Sequence, residues 1–337
     1  MNTIFLLAGR TGGPFFPLPT IAKSYSKLTP IYIGVKGGFE EKYADKNNVV
    51  LEFLPDSRLK IVSFKNQKVK EIVIGLFELA WDIIKLGLSF FKSIFLLLKY
   101  RPEIIYSAGS FLAVPMVYAA KVLNFLSFTT TQIQIHQQDP MPGLANKLTV
   151  KFADKLTCVF DYTKQNYPLF KKARVVANPI DKKRFDVEKP LEKIRDKILK
   201  IFLEKQKKPI LMVFGGGSGA QEINQWLVEN SSSLLKKFAV VHLTGVLQTQ
   251  KLEEILNPNY FRTEVLFEDM PLVMKLADRV ICRAGMASIS ELLYLKKKAF
   301  LIPLEHSHQE LNAELVEDKF VILRQGQKGK WVEVVLG

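Results

Sequence analysis

Two cysteines in 337 residues, Cys158 and Cys282, are too few for a disulfide framework or a thiolate metal cluster. That scarcity points to the cytosol. Long uncharged apolar runs are also missing: a membrane span needs roughly 18 such residues. The nearest approach, residues 72–100, is interrupted by Glu78, Asp82, Lys85 and Lys92. The first residues carry neither a basic start nor a small-residue cleavage site, so a buried first strand is expected there rather than a signal peptide. Acidic residues are in deficit. Against 48 Lys and Arg stand 33 Asp and Glu, a net charge of +15, which favours nucleic acid, an anionic membrane surface or phosphorylated substrates. No aromatic-basic motif supports nucleic acid, which is expected not to be a partner. No glycine loop continues into Gly-Lys-Ser/Thr, and none is a standard GxGxxG fingerprint. Asp-x-Asp is absent, and so is any convincing metal-ligand set.

What is present is an ordinary globular composition, 48% hydrophobic and 24% charged, over a length that suits two domains. Short apolar runs ending in glycine, each followed by helical periodicity, recur along the chain. Residues 3–8, 31–34, 49–53, 60–64, 104–106, 132–136, 155–160 and 174–176 read as strands in the first half. The second half restarts with 209–214, 239–243, 279–282 and 300–303. Helices are expected at 19–28, 111–123, 220–230 and 288–295. Alternating strands and helices mean parallel sheets. The fold class is therefore α/β, two Rossmann-like domains facing across a cleft, with domains 1–178 and 179–337. Ligands of such sheets bind at the carboxyl ends of the strands.

The chemistry-bearing residues gather at those ends. Gly215-Gly216-Gly217-Ser218-Gly219-Ala220 joins a strand to a helix, where glycines admit a close ligand and free N–H groups face phosphate. A tight turn without ligand is the plainer reading. In Cys282-Arg283-Ala284-Gly285-Met286-Ala287-Ser288, the N–H groups of the last three residues would meet an anion. Glu291, one turn later, either receives a ribose diol or closes a capping box with Ser288. Arg10-Thr11-Gly12-Gly13-Pro14 follows the first strand and suits a pyrophosphate, or simple backbone crowding. His306, His308 and Gln309 lie on a strand-to-helix loop. His136 and Asp139 end another strand, either as an acid–base pair or as a polar loop. Residues 72–100 are either a buried helix pair or an interfacial anchor, and their excess of Leu, Ile and Phe favours the membrane.

Together these motifs resemble the MurG family of peptidoglycan glycosyltransferases. The matching runs are 8–17, 109–115, 136–147, 177–179, 215–224, 242–245, 268–270, 282–291 and 309–313, in the family's order. The resemblance implies a GT-B fold and inverting transfer of N-acetylglucosamine from UDP-N-acetylglucosamine to the C4 hydroxyl of undecaprenyl-pyrophosphoryl-N-acetylmuramoyl-pentapeptide. It implies no metal, no cofactor and peripheral attachment to the cytoplasmic face of the membrane. By the same resemblance Glu291 takes the ribose, while Met286, Ala287 and Ser288 lie along the diphosphate with Gly217 and Ser218. Phe267 borders the uracil, and His308 and Gln309 touch the sugar. Thr11, Gly12 and Gly13 approach the acceptor pyrophosphate, with Ser110 and Asn146 also on the acceptor side.

The sequence departs from that pattern mainly on the acceptor side. Pro14 stands where the family has a histidine discussed as a base, and Gln137 and Asp139 where it has Glu and Asn. Gly217 and Ser218 replace Ser-Gln, and Asp181 replaces an arginine. The segment after Asn312 also looks short for the family's closing helices. Asp139 then becomes the expected base, with His136 beside it. The alternatives are a related glycolipid glycosyltransferase, a UDP-N-acetylglucosamine 2-epimerase, and a homologue that binds donor and lipid with weakened turnover.

Overall fold

The computed structural model describes residues 2–9, 12–56, 69–216, 219–245, 255–266 and 268–337. It divides into two compact units, residues 1–179 and 180–337.

Unit 1 is a seven-stranded sheet: β1 (Thr3–Leu7), β2 (Thr29–Gly34), β3 (Val50–Phe53), β4 (Ile104–Ser107), β5 (Gln132–Gln137), β6 (Lys155–Cys158) and β7 (Arg174–Val175). All pairs are parallel, in the order β3-β2-β1-β4-β5-β6-β7. The connections carry helices α1 (Gly12–Phe15), α2 (Leu18–Ser24), α3 (Phe39–Asn47), α4 (Val69–Tyr100), α5 (Ala113–Phe125), α6 (Leu144–Thr149) and α7 (Asp161–Asn166). Every residue of β1 is buried, as a parallel strand covered on both faces requires. Its side chains alternate between two cores. Phe5 and Leu7 join Ile105, Ile133 and the inner residues of α4 and α5; Ile4 and Leu6 join Tyr32, Phe15 and Leu18. The expected strand at 60–64 lies outside the described residues.

Unit 2 is a six-stranded parallel sheet in the order β10-β9-β8-β11-β12-β13. Its strands are β8 (Ile210–Phe214), β9 (Ala239–Leu243), β10 (Tyr260–Thr263), β11 (Arg279–Cys282), β12 (Lys298–Leu301) and β13 (Val321–Ile322). Helices α8 (Lys197–Glu204), α9 (Gln221–Lys237), α10 (Met270–Leu276), α11 (Met286–Leu295), α12 (His308–Glu314) and α13 (Trp331–Leu336) complete it. Trp226 of α9 meets Trp331 of α13 edge-on over Val213, Val240 and Ile281. In both sheets the strand order reverses beside the first strand, between β1 and β4 and between β8 and β11. Such reversals open the crevice where doubly wound sheets bind ligands.

The apolar stretch at 72–100 is not a helix pair. It lies within one 32-residue helix, α4, because its two glycines, Gly75 and Gly87, cost only about 1 kcal/mol each and no proline interrupts it. Its C-terminal part packs Leu96 and Leu97 into the core, but along its middle much of the apolar surface faces outward. Asp82, Ser89 and Ser93 are buried, and Ser89 donates to the Pro55 carbonyl at 2.9 Å, whereas Phe77, Trp81, Ile84, Leu88, Phe91 and Phe95 face outward. The end of α5 adds exposed Val122 and Phe125.

Candidate donor and acceptor sites

On unit 1 the strand ends are cross-tied by buried amides. Gln138 Nε2 donates to the carbonyls of Gly13 at 3.1 Å and Ala108 at 2.9 Å, joining the loops after β1, β4 and β5. Gln137 Nε2 donates to the carbonyls of Asp139 at 2.7 Å and Met141 at 3.3 Å. Asn146 Nδ2 donates to Gln137 Oε1 at 2.6 Å and to the His136 carbonyl at 3.3 Å, while its own Oδ1 is buried without a hydrogen-bond partner among the described residues. Half-buried Asp139 therefore rides on a loop fixed from both sides. Gly12 and Gly13 open α1, and Ser110 accepts from the Leu112 N–H at 3.2 Å to start α5. Thr11 lies outside the described residues.

His136 does not share Asp139's surroundings. Its ring turns into the sheet, with Nδ1 2.9 Å from the Thr157 hydroxyl and Nε2 3.1 Å from Asn178 Oδ1. Burial pushes its pKa down to about 4, opposed by the Asn178 contact. Both nitrogens serve the fold, so the two residues are not an acid–base pair here.

On unit 2 the glycines after β8 divide by cause. A Cβ on Gly215 would strike Ala220, and one on Gly219 (φ +84°) would strike the Thr244 carbonyl, so packing demands both. A Cβ on Gly216 (φ +94°) would meet nothing within 4 Å among the described residues. Gly217, Ser218 and Phe267 lie outside the described residues. Helix α11 starts at Met286 with Gly285 as its N-cap and no side-chain cap. Ser288 is therefore inside the first turn, which removes the capping-box reading of Glu291. The N–H groups of Met286, Ala287 and Ser288 have no partner within the helix. Burial of the Glu291 carboxyl raises it from 4.5 to about 7, with Arg184 acting in the opposite direction. His308 is exposed at the start of α12, and Gln309 Oε1 accepts from the Leu304 N–H at 3.2 Å.

Sequence reasoning missed the amides behind these loops. Gln138, Asn178 and Asn224 are buried polar residues, and the one available signal was a polar residue in an apolar context at a strand end or early in a helix.

Two family models match the chain: the glycosyltransferase family 28 N-terminal domain over residues 4–158 and the C-terminal domain over 210–328. A Staphylococcus aureus protein named UDP-N-acetylglucosamine--N-acetylmuramyl-(pentapeptide) pyrophosphoryl-undecaprenol N-acetylglucosamine transferase is 31% identical, over 85% of this chain and 73% of its own. The chain belongs to the MurG family. A Bacillus pumilus protein of the same name is 27% identical over 96% of this chain and 86% of its own. Acinetobacter baumannii MurG shares the fold, with a TM-score of 0.68 at 20% identity, covering 100% of this chain and 90% of that one. MurG membership makes the chain a glycosyltransferase with two α/β units of the GT-B kind.

Proposed function

We propose that the chain transfers N-acetylglucosamine from UDP-N-acetylglucosamine to the C4 hydroxyl of undecaprenyl-pyrophosphoryl-N-acetylmuramoyl-pentapeptide, in peptidoglycan precursor synthesis. Relatives named for this transfer, aligned along most of the chain, support that substrate pair. In this reading unit 2 takes the donor and unit 1 the acceptor. The observation that carries the donor assignment is α11: an uncapped helix start at the sheet's reversal point, with a half-buried carboxylate one turn and a half further on.

The reaction is a direct displacement that inverts the anomeric carbon. The acceptor hydroxyl forms the new C–O bond as the bond to the UDP oxygen breaks, and the hydroxyl proton passes to Asp139. Negative charge then grows on the departing diphosphate, where the N–H groups of Met286, Ala287 and Ser288 and the helix dipole stabilise it without a metal ion. Glu291 accepts the ribose hydroxyls, His308 and Gln309 meet the sugar, and Phe267 borders the uracil. Gly217 and Ser218 flank the phosphates. Thr11, Gly12, Gly13, Ser110 and Asn146 receive the acceptor's pyrophosphate end, and Asn146 Oδ1 is an acceptor that a ligand hydroxyl or water would satisfy.

The outward apolar face of α4, with a chain charge of +15, supports peripheral attachment to an anionic bilayer at its cytoplasmic face. Among the described residues no helix is long and apolar enough to cross a membrane.

The test is UDP release from UDP-N-acetylglucosamine, in EDTA, with and without a short-chain lipid acceptor. Acceptor-dependent release is expected. Donor binding without release under either condition would leave a binding protein instead.

A further inference from the structure

Behind the three loops assigned to the donor lies an ionic cluster that the reaction itself does not use. Arg283 follows β11 directly and its side chain is only 12% exposed. One of its terminal nitrogens, Nη2, donates to Glu222 Oε2 at 3.0 Å. The other, Nη1, donates to the Ile302 and Pro303 carbonyls, each at 3.3 Å. Glu222 stands in the first turn of α9 and also accepts from Gln325 Nε2 at 2.7 Å.

Each partner adjoins a different donor segment. Glu222 follows the glycine loop by three residues. Arg283 precedes Met286 by three, and Pro303 lies just before the turn that carries His306, His308 and Gln309. The guanidinium meets the carboxylate and the two carbonyls through separate nitrogens held in one rigid plane, whereas an ammonium would have to reach all three acceptors from a single atom. The Glu222 charge is favoured by the start of α9, and in this partly buried setting the pair is screened less than a surface bridge.

We infer that Arg283 and Glu222 are positioning residues for the nucleotide-sugar donor, holding the β8–α9, β11–α11 and β12–α12 loops in the one spacing that receives a sugar diphosphonucleoside. This rests on the donor reading given above. Arg283 touches no substrate in it. A misplacement of one donor loop weakens every contact the three loops make together, so the loss falls on donor affinity.

The experiment measures steady-state constants for both substrates, and equilibrium UDP-N-acetylglucosamine binding, in wild type, Arg283→Lys, Glu222→Gln and the double variant. Donor KM and Kd are expected to rise about tenfold in each single variant, with acceptor KM unchanged. Because both substitutions act on the same Arg283–Glu222 pair, the double variant is expected to be no worse than the worse single. Glu222→Asp is expected to recover part of the affinity. Donor KM equal to wild type in variants that still melt cooperatively would overturn the inference. So would donor and acceptor KM rising together, or melting temperature falling with kcat while donor KM stays fixed. Wild-type protein that binds no UDP-N-acetylglucosamine would instead sink the donor reading itself, a separate outcome.

Discussion

Asn178 Oδ1 and the Thr157 hydroxyl hold the two ring nitrogens of His136 at 3.1 and 2.9 Å, and unit 2 repeats the arrangement around His242. There Asn224 Oδ1 stands 3.0 Å from Nε2 and the Tyr260 hydroxyl 2.9 Å from Nδ1. A neutral imidazole with its proton on Nε2 satisfies both sets of partners, since it donates to the amide oxygen and accepts from the hydroxyl.

Acid lability follows. Burial moves the pKa from 6.5 to about 4 in His136 and to about 3 in His242. A depressed folded-state pKa contributes stability that is present above 6.5 and lost as pH falls toward 4. At about 1.4 kcal/mol per unit, that linkage makes His136 worth about 3 kcal/mol and His242 about 5 kcal/mol. Urea midpoints at pH 7.0, 5.5 and 4.5 should fall steeply, and Asn178→Ala should cost about 1–3 kcal/mol at pH 7. A midpoint independent of pH across this window would refute the neutral, buried assignment.

Asp139→Asn keeps the side chain's shape and removes its capacity to take a proton. Turnover should fall by about 100-fold or more, with the donor Kd and the melting temperature unchanged. Full turnover in the variant assigns the proton to another group.

Glu291 makes a pH prediction of the opposite sign. Its carboxyl, raised to about 7 in the folded protein, costs stability progressively as pH rises from 4.5 to 7. Glu291→Gln should therefore stabilise the ligand-free protein at pH 8, on the order of 1–3 kcal/mol, and make no difference at pH 4. Donor affinity of the wild type should rise through pH 7 as the carboxylate forms, and be weaker and flat in the variant. Calorimetric titration with UDP-N-acetylglucosamine at pH 6, 7 and 8 checks this; parallel profiles in the two proteins count against a ribose contact.

Phe95 and Phe125 are 61% and 87% exposed, so neither contributes much to the core. Replacing both by serine should leave the melting temperature level or higher. Sedimentation with phosphatidylglycerol vesicles should drop by at least about 100-fold in partition, since inserting each phenyl ring is worth about 1.5–3 kcal/mol. Equal sedimentation of the double variant would remove these side chains from the membrane contact.

Apolar runs and glycines made the two sheets legible in the sequence, because a strand buried on both faces is a nearly unbroken hydrophobic word. β1 and β8 read directly. β10 and β13 did not: Tyr260-Phe261-Arg262-Thr263 is half-exposed at the sheet edge and β13 has only two residues, too little pattern to register. The start of α11 was legible only in part: the sequence places the helix at 288–295 and leaves a capping box with Ser288 open, whereas it begins at Met286 after Gly285. The roles of His136 and Gln138 did not follow, because a polar residue at a strand end reads alike whether it faces a ligand or ties two loops. Only the partners decide, and those lie as far as 125 residues away, at Gly13.

The outward apolar row of α4 bears on how the protein behaves in a tube. A helix of 32 residues is about 48 Å long at 1.5 Å per residue, and its outward row of Phe, Trp, Ile and Leu is exposed among the described residues. In plain buffer that row is a colloidal liability: molecules should associate through it as concentration rises, and added sulfate should worsen the effect. A mild detergent above its micelle concentration should restore single particles. Light scattering during purification would then report the state of α4 before any assay is run.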